Sequence, residues 1–240
     1  MSRLAWMLAP HPDDECITGL LALRLQRECA FRVVVSPATL GSAVERRAAR
    51  RQELRAACGV LGWTVDFCVV QTEDPAEKIR CLADRWRARR PDVVILPHAR
   101  DGHPTHRQTH RWGVAAMDAA GGVFHAVETE YWHPLLHPNL MLAATEDDLR
   151  QLAGALAMHR GEVARNDYAA RLPAWMSDNV RRGAELIGGS GASAPCMDFA
   201  TLYRVRLREG GRWKTSAAVR ASRAVDSSEE LGVWVRGLRG

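Results

Sequence analysis

Four short apolar runs, Leu4 to Leu8, Phe31 to Ser36, Thr64 to Val70 and Val93 to Pro97, set the tightest limit on how this chain can fold. Each has the length of a buried strand, most are rich in β-branched residues, and each is followed by a longer stretch with the character of a helix. Strands that alternate with helices pair in parallel, because parallel neighbours need a crossover. The sequence therefore predicts an α/β fold: a doubly wound, mostly parallel sheet with helices on both faces.

The connecting helices are expected over Cys16 to Glu28, over Ala43 to Leu61 with Gly62 as its stop, from Asp74-Pro75 to about Arg89, and up to about Ala119 before Gly121-Gly122. The second half is less regular. Val123 to Trp132 and Asn139 to Ala144 read as strands, Glu146 to Asn166 and Trp175 to Ile187 as helices, and Leu202 to Leu207 alternates like an edge strand. Residues 1–208 are expected to form one domain, with 209–240 as a C-terminal extension whose structure the sequence does not predict.

The formal net charge is +5, and only Lys78 and Lys214 among the basic residues are not arginine. Acids are interspersed with them, which reads as solvated helix faces. No nucleic-acid partner is expected, and the basic excess favours an anionic small molecule. The arginines from Arg204 to Arg239 also read as surface, and a homo-oligomer stays open. Six cysteines without a C-x-x-C pair read as reduced, buried thiols. No stretch reaches the roughly 18 to 20 apolar residues that span a bilayer, so a cytoplasmic protein with no membrane partner is expected.

The chemistry sits at strand ends. Directly after the first run comes Ala9-Pro10-His11-Pro12-Asp13-Asp14-Glu15, and directly after the fourth comes His98 to His110, HARDGHPTHRQTH. Both stand at the carboxyl edge of a parallel sheet, where such folds bind ligands. His11, Asp14 and His106 can supply the nitrogen and oxygen ligands of a catalytic zinc site, and Asp13, left uncoordinated, can act as general base toward a water. The bland reading of Asp13-Asp14 is a helix N-cap pair, and His106 with His110 could form an i, i+4 ligand pair. His98, His125, His133 and His137 read as hydrogen-bonded loop or strand histidines.

At these residues the sequence resembles the PIG-L (LmbE-like) family of metal-dependent N-acetylglucosaminyl deacetylases. His11 to Glu15 match the family's His-Pro-Asp-Asp-Glu motif in full, and His103-Pro104-Thr105-His106 is similar to its His-Pro-Asp-His motif. Arg50 to Leu54, followed by Ala56-Ala57 and Leu61-Gly62, is similar to its substrate-contacting helix. The resemblance spans roughly residues 4 to 160 and implies a Rossmann-like fold. It further implies zinc, or iron(II), on His11, Asp14 and His106, with Asp13 as base and His110 outside the ligand set. His103 would stabilise an oxyanion or protonate the leaving amine, and Arg50 would contact the sugar or its anionic aglycone. The implied activity is removal of the N-acetyl group from an N-acetylglucosamine-type amino-sugar conjugate. Two departures bear on it. Thr105 replaces an acid that would orient a histidine, and Ser42 stands where many members carry glutamate. The alternatives are an amidase acting on a thiol conjugate of the mycothiol type, a non-haem iron oxygenase using the same His/Asp/His set, and a nucleotide-binding module, which the absence of G-x-G-x-x-G argues against.

Overall fold

The computed structural model describes residues 3–214 and 223–238. At its centre lies β1 (Arg3–Ala9), paired in parallel with β2 (Phe31–Pro37) on one side and β4 (Val93–Pro97) on the other. Beyond β2 lies β3 (Thr64–Val65), and beyond β4 lies β5 (Val123–Thr129), both parallel. The sheet then turns antiparallel through β7 (Phe199–Glu209), which lies between β5 and β6 (Leu140–Ala144). β9 (Arg223–Val225) adds in parallel to β6, and β8 (Arg212–Lys214) folds back on β7. Among the described residues the sheet has nine strands, and the mostly parallel α/β architecture is the one expected.

Both faces of β1 are buried, so its period-2 alternation feeds two cores. Ala5, Met7 and Ala9 pack toward α2 (Leu20–Cys29), α3 (Arg47–Leu61), α6 (Glu146–Leu156), α8 (Tyr168–Gly188) and α9 (Ser228–Gly237). Leu4, Trp6 and Leu8 pack toward α4 (Pro75–Arg89) and α5 (Pro104–Ala120). Each large side chain fully buried this way stabilises the fold by about 1.5–3 kcal/mol.

The chain runs outward from β1 through β2 to β3, then crosses back past β1 to β4. The connections after β1 and β4 therefore leave in opposite directions and open a crevice beyond the two carboxyl ends. The His11 and His103 segments are the walls of that crevice.

Several local expectations change. The first helix is two, α1 (Asp14–Ile17) and α2, broken at Thr18-Gly19. A Cβ on Gly19 would lie 2.1 Å from the Glu15 carbonyl oxygen, so the sharp turn requires glycine. The third strand ends at Val65, because Asp66 Oδ1 accepts the Cys68 amide at 2.9 Å and turns the chain into a 3-10 segment, Cys68–Gln71. Cys68 pairs with Cys81 of α4, correcting the reading of six reduced thiols. The helix expected over Glu146 to Asn166 divides into α6 and α7 (Arg160–Val163). The Leu202 to Leu207 alternation belongs to an interior strand. Its outward arginines are covered, Arg206 by Glu128 at 3.3 Å and the Trp213 ring at 3.8 Å, and Arg208 by Asp118 at 2.6 Å.

Past residue 208, β8, β9 and α9 continue the same sheet and core, with Leu231, Trp234 and Val235 buried beside α2. Residues 215–222 and 239–240, and with them Arg220 and Arg239 of the arginine series, lie outside the described residues. No helix among the described residues is long and apolar enough to cross a membrane.

Candidate functional site

The β1 segment leaves the sheet at Ala9 and turns at once into α1. His11 and Asp14 face each other across that turn: the His11 amide donates to Asp14 Oδ2 at 2.8 Å, and His11 Nδ1 lies 3.3 Å from the same oxygen. From the β4 side, α5 opens with His103 as its N-cap and Pro104 in its first turn. His106, one turn in, brings Nε2 to 3.4 Å from Asp14 Oδ2. The rings of His11, His103 and His106 form a triangle with centroids 5.0, 5.1 and 5.4 Å apart. The structure thus brings together all the residues expected from the two motifs.

The two histidines of the second motif are held in opposite tautomers. His106 Nδ1 lies 3.3 Å from Asp101 Oδ2, which fixes a proton there and leaves Nε2, directed at Asp14, as the nitrogen a cation would take. That Nε2 is buried and has no hydrogen-bond partner. His103 Nδ1 instead accepts the Thr105 amide at 3.2 Å, so its neutral ring carries the proton on Nε2. His106 is therefore set up as a ligand and His103 as a donor. Burial and the neighbouring His11 and His106 lower the His103 pKa, which keeps the ring neutral.

Burial works against charge on Asp14, but His106 and His11 prevail and hold its carboxyl far below the usual range. Burial likewise opposes a proton on His106, yet Asp14 and Asp101 raise its pKa to about 10, so Nε2 holds a proton that a cation bound beside Asp14 would displace. One carboxylate, Asp14, set between the His106 Nε2 and the His11 Nδ1, is the kind of nitrogen and oxygen donor set a divalent cation needs. The ligand atoms of His11, His103 and His106 lie within 4.8 Å of one another. The residues present fit a zinc-type ion held by His11, Asp14 and His106.

Asp13 precedes α1, yet its side chain caps no helix amide, which removes the N-cap reading. It is buried, and desolvation together with Asp14 and Glu15 raises its pKa well above the ordinary value, so its carboxyl holds a proton more strongly than a free aspartate does. Its backbone sits at φ 124°, in a region that side chains rarely adopt. Arg50 reaches from α3 to donate to the Pro12 carbonyl at 3.1 Å and lies 3.5 Å from Glu162; its buried Nε has no partner. The cleft these groups line encloses about 700 Å³ and extends past Ser42, Arg47, Lys78, Trp132 and Tyr168.

His110, the rival ligand, is directed away and contacts Glu128 at 3.0 Å. His98 contacts the His133 carbonyl at 2.9 Å. The sequence reading missed Asp101, taking the loss of the acid at Thr105 as the loss of an orienting carboxylate; Asp101 supplies one from two residues ahead of His103. It also missed Glu15 and His159, whose side chains meet at 2.6 Å although they lie 144 residues apart. Asp101, within the histidine-rich run, was open to discovery there; no local pattern marks His159.

Residues 6–117 match the family model for PIG-L, GlcNAc-PI de-N-acetylase. No curated protein matches the chain in sequence. Among solved structures, the chain is similar to the 4-carboxy-2-hydroxymuconate hydratase GalB of Pseudomonas putida KT2440, at 18% identity and a TM-score of 0.65, covering 85% of this chain and 95% of that one. It is similar to the N,N'-diacetylchitobiose deacetylase of Pyrococcus horikoshii at 15% identity and 0.62, covering 85% and 84%. A zinc-inhibited form of the teicoplanin deacetylase Orf2 matches at 14% and 0.60, covering 90% and 100%. At such identities the likeness establishes the fold alone, and the family match is confined to residues 6–117. The chain carries a PIG-L family domain over residues 6–117, built on the α/β fold of the LmbE-like deacetylases.

Proposed function

We propose that this protein is a metal-dependent N-deacetylase that removes the acetyl group from an N-acetylglucosamine-type amino-sugar conjugate. Zinc is the metal of this reading and iron(II) the alternative. The observation that carries it is the pair of oppositely held histidines, His106 with Nδ1 fixed by Asp101 and Nε2 left for a cation, and His103 with a free N–H, facing Asp14 beside an uncommitted Asp13. The family description and two of the similar structures, both deacetylases, support the same reaction class. The same fold also serves a hydratase, so it is the site and not the fold that points to deacetylation.

When bound, the cation would polarise the acetyl carbonyl and lower the pKa of a water beside it. Asp13 takes a proton from the attacking water as it adds to the carbonyl carbon. His103 Nε2–H donates to the carbonyl oxygen as negative charge develops there; one such donor is typically worth about 10²–10³ in rate. The C–N bond breaks as Asp13 returns the proton to the departing amine, leaving acetate and a free amino sugar. Arg50, with Nε unpartnered on the cleft wall, contacts the sugar or its anionic aglycone.

The test is acetate release from a panel of N-acetylglucosamine conjugates by metal-loaded protein, with metal content measured in parallel. Asp13→Asn is expected to keep metal and lose about 10²–10⁴ in turnover, while Asp14→Ala loses metal as well. Full turnover in Asp13→Asn removes Asp13 from the mechanism. Turnover of a thiol conjugate with no acetate from any acetylated sugar favours the amidase instead.

A further inference from the structure

Behind Asp13 stands a buried group that the proposed chemistry does not use. Glu15 is fully buried, and its carboxylate accepts three contacts: the Asp13 amide at 2.8 Å on Oε2, and on Oε1 His159 Nε2 at 2.6 Å and the Cys16 thiol at 3.2 Å. His159 is also fully buried and enters from the end of α6, where its backbone accepts the amides of Glu162 and Val163. Ligand atoms of Glu15, Cys16 and His159 cluster closely enough for an ion. The carboxylate is nevertheless already filled, and burial with Glu15 beside it keeps the Cys16 thiol protonated.

What the cluster does is visible in the backbone. Among the described non-glycine residues, Asp13, Ala30 and Arg90 have positive φ, and the latter two, at 55° and 45°, lie in the ordinary left-handed well. Asp13, at φ 124° and ψ −34°, does not. Such a conformation persists only where its surroundings impose it, and it gathers at functional sites. The amide of the strained residue is the group Glu15 holds.

We infer that Glu15 and His159 form a buried strut that clamps the Asp13 backbone in its strained conformation and so aims the Asp13 carboxyl into the cleft; both are positioning residues. The inference rests on the assignment of Asp13 as base. The strain is the cost of turning a second carboxylate into the cleft beside Asp14 without adding it to the ligand set. The strut reaches across 144 residues because a rigid anchor must come from an element the short α1 turn does not itself supply.

The decisive experiment is a double-mutant cycle on turnover of the best N-acetylglucosamine conjugate, joined to a stability measurement on metal-free protein. His159→Leu is expected to lower kcat about 10- to 100-fold with KM and metal content nearly unchanged, to cost nothing further in the Asp13→Asn background, and His159→Gln, which keeps a donor, to restore much of the loss. Losses that multiply with Asp13→Asn, or that fall on KM, overturn the strut. In metal-free protein, Asp13→Gly is expected to melt about 2–4 °C above Asp13→Ala, since glycine adopts this φ freely. That advantage should vanish with His159→Leu, when residue 13 is free to relax; an equal advantage in both backgrounds overturns the inference. Where His159→Leu does not fold, His159→Asn, too short to reach Glu15, is read in its place. If the parent turns over no conjugate, the proposed activity fails, and the melting comparison alone decides the strut.

Discussion

Asp101 shows how a site can keep a function while moving the residue that performs it. The acid expected between Pro104 and His106 is Thr105, and its amide, not its side chain, serves the site by bonding His103 Nδ1. Asp101 instead orients His106, while its other oxygen accepts the His103 amide at 2.8 Å. Asp101→Ala is expected to weaken zinc affinity about 10- to 100-fold, as loss of an orienting carboxylate does; competition with a chelator of known affinity reads it. Glu128 offers a separate check away from the candidate metal ligands. Burial raises its pKa, but His110 and Arg206 lower it further, so the folded value lies below the ordinary 4.5. A carboxylate depressed by folding adds stability above its unfolded pKa and loses it as pH falls through the folded one. Glu128→Gln should therefore cost about 1–3 kcal/mol at neutral pH, with the gap to the parent closing as pH falls below about 4.5; denaturant melts at a series of pH values measure this.

At the scale of elements, two short breaks do the positioning. The α1–α2 break at Thr18-Gly19 lets the chain turn sharply after the first motif, and the Tyr203 hydroxyl of β7 secures it, accepting the Leu21 amide at 3.0 Å and donating to the Thr18 carbonyl at 3.2 Å. Gly19→Ala must displace the Glu15 carbonyl or Trp63, which crowds its Cβ position at 2.8 Å. It is expected to destabilise by about 1–3 kcal/mol or more, as overpacking does, and to reduce turnover beyond what the loss of folded protein explains; thermal melts alongside kinetics separate the two. The start of α5 does the equivalent job on the other wall. Pro104 fixes its first turn, and the helical rise carries His106 from the N-cap His103 to Asp14.

Across the whole molecule, two tests bear on stability, a bound cation at the site and the C-terminal segment that completes the sheet. Binding of a cation to the folded state alone adds about 2.7 kcal/mol at a hundredfold excess over its Kd, so chelation is expected to lower Tm, and re-addition of zinc to restore it. A chain ending at residue 208 would lose β8, β9 and α9, exposing the β6 edge and the pocket that Leu231 and Trp234 fill. Open, flat edges aggregate, and soluble yield with circular dichroism of that truncation should show loss of the folded protein.

The sequence by itself determined the alternation of strands and helices, the two strand-end motifs and the residues facing the crevice, because periodicity, β-branching and motif spacing are local properties of the chain. Only the tertiary structure decided the placement of β7 inside the sheet, the tautomers of His103 and His106, and the meeting of Glu15 with His159. Strand order and buried hydrogen bonds depend on which distant segments come to share one low-dielectric interior. A buried polar group must find its partner there, however far along the chain that partner lies.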